Sequence, residues 1–237
     1  IKDGSDVISK IFDLGTTRLP RGGDYTPTTT STTYSATGIN SNPAWVNGST
    51  TARGYYGGGR LNNIRRKTQI TLFAAYQKPN TFKITPLAWG ENSGMQLSHT
   101  AGSPGSISTT LYDATTSKTA TATVSGSATD FHTAAATFDG TTLLAYSDGV
   151  VGSTTGTGLV IPSPNLNPPD ALTGQIGVST QITFLGSGSA SSKYNSGYVF
   201  SNNEAQYSGA AQIIFDKGLS GAQISSLDTL IRTHYGL

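Results

Sequence analysis

The chain has 237 residues, a net charge of +2, 12% charged and 35% hydrophobic residues, 29 glycines, 10 prolines and no cysteine. These values exclude a disulfide framework or a Cys-ligated metal. They also exclude a membrane-spanning helix, since no run approaches about eighteen apolar residues, and a disordered chain, since apolar surface is available for burial. They fit one large all-β domain of short strands and many turns, and the missing cysteines suit assembly in a reducing compartment.

From the N-terminus, Ser5 to Gly15 carries the marks of a short helix, with Ser5 as cap, Ile8, Ile11 and Phe12 on one side and Gly15 as terminator; an irregular arm fits the same residues. Leu14 to Ser41 contains LPRGGDYTPTTTSTTY, which reads as extended loop or edge strand. Residues 1–40 are therefore expected to form an extended arm or linker, and 41–237 the folded domain. Charge is uneven: through Lys83 eleven Lys/Arg face four Asp, about +7, and the remainder carries about −5. The densest cluster, Arg60, Arg65, Arg66 and Lys67, reads as a solvated loop ahead of a strand, with phosphate or acidic-partner contact as the lesser reading. No second basic cluster flanks it, so nucleic acid is not expected as a partner.

From Thr68 the pattern is β. TQITLFAAYQKP reads as a central strand apolar on both faces, and Phe82 to Trp89, Gly94 to Ser98, Ser106 to Tyr112 and Thr119 to Val124 follow as short strands between Gly, Asn, Ser and Pro. Phe131 to Phe138 alternates, with Phe131, Thr133, Ala135 and Thr137 on one face and His132, Ala134, Ala136 and Phe138 on the other. Asp139-Gly140 turns the chain, Thr142 to Ser147 returns it, and Asp148-Gly149 turns it again, each pair expected at an exposed tip. Beyond a proline-rich loop, IPSPNLNPPD, come candidate strands Ile176 to Leu185, Tyr198 to Ser201 and Ala210 to Phe215. The chain closes on a helix. Ser220 and Gln223 form a capping box, and Ile224, Leu227, Leu230 and Ile231 share one face, which is expected to close an edge or end of the domain.

The run FHTAAATFDGTTLLAYSDGVV resembles the central hairpin of the laminin-G-like branch of the concanavalin A-like lectin/glucanase superfamily, with Phe131 where that family usually has Trp and His132 one place early. The C-terminal AQIIFDKGLSGAQISSL is similar to the family's closing strand and helix start, with Gln223 in place of the usual Glu. The matched pieces cover about a sixth of the chain. The resemblance implies a two-sheet antiparallel jelly-roll sandwich, concanavalin A-like, with a short C-terminal helix. It says much less about function.

Glucanases of that superfamily present carboxylates two residues apart on one strand. Here the two glutamates, Glu91 and Glu204, are far apart in polar settings, so no enzymatic activity is expected. Asp130 and His132 share a strand face; a strand-edge hydrogen bond is the expected role, with acid/base chemistry the alternative. The resemblance also implies calcium held by carboxylates and carbonyls at the sandwich rim, for which Asp139, Asp148 and Asp170 qualify by type, although turn formation accounts better for the first two. No other cofactor or metal site is expected.

Glycan binding is the function the resemblance implies outside catalysis, through aromatic rings in polar loops. Trp45, Tyr55, Tyr56, Trp89 and Tyr194 fit that description, with core burial the competing role for both tryptophans. The overall expectation is a non-catalytic virion or surface structural/adhesion protein, of phage decoration or fibre type, contacting glycans and assembling with other virion or surface proteins or with itself. A secreted, extracellular carbohydrate-binding module is the alternative, and a diverged glycoside hydrolase the third reading.

Overall fold

The structure is a computed structural model, and it describes residues 26–27, 32–47, 55–57, 69–78, 83–90, 94–112, 117–127, 129–152, 182–184, 207–215 and 217–237. The expected helix at Ser5 to Gly15, the basic cluster, the proline-rich loop, Tyr198 to Ser201, Asp170 and Tyr194 lie outside these residues.

The described strands are β1 (Thr26–Pro27), β2 (Thr32–Ile39), β3 (Asn42–Asn47), β4 (Tyr55–Gly57), β5 (Ile70–Gln77), β6 (Ile84–Gly90), β7 (Gly94–His99), β8 (Ser106–Tyr112), β9 (Ser117–Thr123), β10 (Phe131–Phe138), β11 (Leu143–Ser147), β12 (Val150–Val151), β13 (Ile182–Phe184) and β14 (Tyr207–Phe215), followed by one helix, α1 (Gly221–Tyr235). They form two antiparallel sheets, ordered β1-β4-β13-β6-β7-β8-β9 and β12-β11-β10-β5-β14-β3-β2. This is the expected two-sheet sandwich with a C-terminal helix. Within the run Leu14 to Ser41, read as extended loop or edge strand, Thr32–Ile39 is an edge strand of the second sheet, paired to β3 through the Asn40-Ser41 turn. Both turn residues have positive φ, 42° and 61°, which matches the right-handed twist of the flanking strands.

β5 explains the layering. Its inner face, Ile70, Leu72, Ala74 and Tyr76, packs between the sheets with Leu87, Leu97, Ile107 and Phe138. Its outer face, Phe73 and Ala75, packs with Phe131, Leu219, Ile224 and Tyr235. α1 therefore lies across the outer face of the second sheet, a correction to the expectation that it closes an edge or end.

The register of α1 is set at both ends. At the start, the Ser220 and Gln223 side chains cap each other's backbone amides. The Thr71 hydroxyl also ties the approach to β5, donating to the Lys217 carbonyl at 2.8 Å and accepting from the Leu219 amide at 2.9 Å. At the finish, Gly236 takes a left-handed conformation, and its amide and that of Leu237 return to Thr233 and Arg232. Asn40 Nδ2 donates to the Tyr235 carbonyl at 2.6 Å, and the Tyr235 hydroxyl donates to the Pro43 carbonyl at 3.0 Å. Of the apolar face expected on α1, Ile224 is buried and Leu227 and Ile231 partly so, but Leu230 is 64% exposed; Asp228 and Tyr235 point inward instead. The expected stripe is thus rotated, because the sheet face beneath offers Thr133 as a polar partner for Asp228.

Removing the Asn40 side chain is expected to loosen the C-terminal end of α1. Asn40→Gly keeps the left-handed turn and loses the bond to Tyr235, about 1 kcal/mol; Asn40→Ala adds backbone strain and is expected to lose more. Urea unfolding of the two variants checks the order.

Candidate functional site

β10 carries His132 into the interior, because the alternation that buries Ala134 and Phe138 sends His132 to the same side. Beside it, β11 and β12 are joined by Asp148-Gly149, both at positive φ (52° and 75°) with Ser147 paired to Val150. This turn is not the exposed tip expected for it. It aims the Asp148 carboxylate back at the sheet, where Oδ2 meets His132 Nδ1 at 2.9 Å and Oδ1 accepts the Thr133 amide at 3.0 Å. From α1, Arg232 reaches the same Oδ1 and donates from Nε to Asp228 Oδ1 at 3.0 Å, and Thr133 Oγ1 donates to Asp228 at 2.6 Å. The result is an alternating chain of charge, His132, Asp148, Arg232, Asp228, running from the core to the helix.

The proton inventory follows from the partners. His132 Nε2 faces the Ser127 carbonyl at 2.8 Å and Nδ1 faces a carboxylate, so both nitrogens must donate and the ring is an imidazolium. Burial opposes that charge, but the Asp148 carboxylate outweighs it, and the ring's pKa is raised. Burial likewise works to raise that of Asp148, yet His132, the Thr133 amide and Arg232 hold it below the usual carboxylate range. Behind His132, at 5.3 Å between ring centroids and edge-on, stands His99. Its Nε2 donates to the Pro104 carbonyl at 2.9 Å and its Nδ1 accepts from the Tyr76 hydroxyl at 3.0 Å, so this ring is neutral. Burial first, then the nearby Lys78, depresses its pKa to about 4. Lys78 has no exposed surface, donates to the Thr100 carbonyl at 3.3 Å and is lowered by burial to about 8.

Ser147, His132 and Asp148 have the residue types of a hydrolytic triad but not its wiring. The Ser147 hydroxyl donates to Asp148 Oδ2 at 3.2 Å, and His132 has no free nitrogen to take its proton. The relay is therefore a positioning network that docks α1. The Asp130–His132 pair considered from sequence does not form: Asp130 accepts the Ser127 amide at 2.8 Å, and Asp148 supplies the carboxylate. Sequence offered a trace of this, since an Asp-Gly hairpin turn beside an inward His brings a carboxylate near the ring. Arg232 and Asp228, about 85 residues away, gave no such signal.

Two of the three calcium candidates, Asp139 and Asp148, lie among the described residues. Asp139 accepts from the Thr141 and Thr142 amides, each at 2.8 Å, and Asp148 is committed to the relay. Of the aromatic candidates, the structure places Trp45, Tyr55, Tyr56 and Trp89 in strands rather than in the expected loops. Tyr55, Phe184 and Leu87 share one register row, Tyr56, Thr183 and Ala88 the next, and Gly57, Ile182 and Trp89 the third. Tyr55, Tyr56 and Trp89 thus fall in three adjacent register rows of β4, β13 and β6 in the first sheet. Trp45 sits in the other sheet opposite Tyr34, which is 38% exposed. A groove of about 520 Å³ runs along α1 past Phe215, Leu219, Leu227 and Leu230, and its described lining contains no carboxylate or imidazole.

No protein-family model and no curated protein matches the chain. Solved structures do. They include the Botulinum Neurotoxin serotype G binding domain (TM-score 0.54, 14% identity, 87% of this chain and 46% of that one). A second is the receptor binding domain of botulinum neurotoxin mosaic serotype C/D (0.53, 15%, 84% and 44%), and a third the binding domain of Botulinum Neurotoxin DC in complex with SialylT (0.51, 11%, 76% and 39%). The chain spans less than half the length of each. At these identities the likeness is one of fold, a β-sandwich, and does not single out the laminin-G-like branch.

Asp148→Asn is expected to leave His132 and Arg232 without their shared counter-charge and to cost about 3–5 kcal/mol at pH 7. The raised pKa of His132 gives stability that is fully present below the unfolded value of about 6.5 and is lost as pH rises through the folded one. The gap between wild type and variant therefore narrows on the alkaline side, measurable by denaturant unfolding across pH.

Proposed function

We propose that this chain is a non-catalytic surface adhesion module that contacts glycans through the part of the first sheet where Tyr55, Tyr56 and Trp89 fall in adjacent register rows. The observation that carries the reading is that register: aromatics more than thirty residues apart in sequence fall in adjacent rows of β4, β13 and β6, the supply of aromatic faces that sugar rings stack on. The absence of catalysis is supported by the relay, in which the described imidazoles and carboxylates nearest a hydrolytic pattern are saturated by one another. The fold likeness to binding domains, one of them in complex with SialylT, points the same way.

In its finer form the reading makes the module a decoration or fibre component of a phage particle, assembling with itself or with other virion proteins. The laminin-G-like resemblance, the absence of cysteine and the Thr/Gly/Ser-rich composition support it. The likeness to neurotoxin binding domains favours the second reading, an extracellular carbohydrate-binding module. No helix among the described residues is long and apolar enough to cross a membrane.

A glycan array followed by thermal shift tests the proposal. A glycan hit is expected to stabilise the chain by about 2.7 kcal/mol at a hundredfold excess over Kd, and Tyr56→Ala, with strand signal retained by circular dichroism, is expected to abolish the gain. Silence across the array, or hits that survive Tyr56→Ala and Trp89→Ala alike, would overturn it. Light scattering then separates the two settings: a defined oligomer supports the virion component, and a monomer the free-standing module.

A further inference from the structure

The two buried histidines sit back to back in unlike protonation states. His132 is saturated with protons and neutralised by Asp148, while His99 holds a single proton on Nε2 and receives the Tyr76 hydroxyl on Nδ1. His99 is the last residue of β7, and the loop 100–105 is moulded against its ring. Pro104 accepts from Nε2, and a Cβ added to Gly105 would lie 3.3 Å from that same nitrogen. The loop is closed further by the Thr100 amide donating to the Ser106 carbonyl at 2.8 Å and the Ser106 amide to Thr100 Oγ1 at 2.9 Å, with Lys78 held on the Thr100 carbonyl. Its tip, Ala101 to Ser103, is exposed.

We propose that the His99–His132 pair is an acid-operated latch on the loop 100–105, which stays shut while His99 is neutral and opens when that ring takes a second proton. Protonated Nδ1 and the Tyr76 hydroxyl can no longer bond as they do, because the ring lone pair that accepted the hydroxyl proton is gone. The charged groups around the ring then decide the outcome. From the β5 side stand Tyr76 and the cation Lys78, from β10 the imidazolium of His132, from the β11–β12 turn Asp148, and before β10 Asp130; Arg232 and Asp228 of α1 lie beyond Asp148. Asp148 is already neutralised by His132 and Arg232, and Asp130 faces the Ser127 amide, so among the described residues the new cation meets Lys78 and His132 without a carboxylate of its own. Repulsion inside a low-dielectric core is relieved through the loop, whose tip is exposed, while β5 and β10 remain paired. Burial first, and then the charge of Lys78, holds the His99 pKa down to about 4.

Nuclear magnetic resonance of the full chain between pH 7.5 and 3.5 tests the latch. The expected result is one shared midpoint near pH 4 for the His99 ring and the amides of Ala101, Gly102, Ser103 and Gly105, with the amides of β5 and β10 unmoved at that pH. His99→Gln can donate from its amide to Pro104 and accept from Tyr76 but cannot titrate, so it is expected to hold the loop shut throughout. The latch is overturned if the loop shifts at the same pH in His99→Gln as in wild type, or if β5 and β10 lose their signals together with the loop. Should His99→Gln fail to fold, the wild-type titration decides alone: a His99 midpoint above about 6 or a loop midpoint different from that of the ring refutes the proposal.

Discussion

A strand buried on both faces needs two covers, and β5 makes that demand of the whole molecule. ITLFAAYQ has no polar face to give to water, so one cover is the opposite sheet and the other must come from elsewhere. The helix supplies it, at the cost of bringing Asp228 and Arg232 over an apolar surface. The charge relay is the physical answer to that cost: each ion is paired with at least one of opposite sign, and the chain of four ends at an imidazole that the fold keeps protonated. Packing and electrostatics are thus one device, since neither the helix nor the imidazolium is stable in place without the other.

Small residues make the relay geometrically possible. Ala74, Ala120, Ala122, Ala134, Ala136 and Ala145 line the space between the sheets beside larger side chains such as Leu72, Tyr76, Leu87, Leu97 and Phe138. The polar groups accordingly gather at one end of the sandwich, beneath the loops that supply the Pro104 and Ser127 carbonyls. In such a core, shape and hydrogen bonding select a single arrangement where hydrophobicity alone would admit several.

Much of the architecture was legible because it rests on local rules. The alternation of Phe131 to Phe138 fixed β10 to the residue, the doubly apolar run fixed β5 as central, and Ser220 with Gln223 fixed the start of α1. What escaped were features settled by distant partners. β3 and β4 read as loops because Pro43 and the glycines flanking Tyr55-Tyr56 dominate their local signal, whereas pairing with β14 and β13 makes them strands. The inward turn of Asp228 was likewise unreadable, since helical periodicity counts an aspartate as polar and cannot see Thr133 opposite it. The aromatic candidates were legible as residue types, and the adjacent register rows of Tyr55, Tyr56 and Trp89 were not, because they depend on sheet order.

One detail of that sheet order carries into kinetics. β14 sits between β5 and β3, with Ser208 opposite Gln77 and Gly209 opposite Trp45. Its two neighbours are therefore held apart by a slot that only a much later segment can fill. Closing so large a loop before any reward is collected makes folding slow, and until it happens β5 and β3 present open edges to whatever strand arrives first. A second copy's β14 is chemically the same key, so crowded synthesis of this chain runs the risk of exchanged strands, with dilution the remedy that the topology itself prescribes.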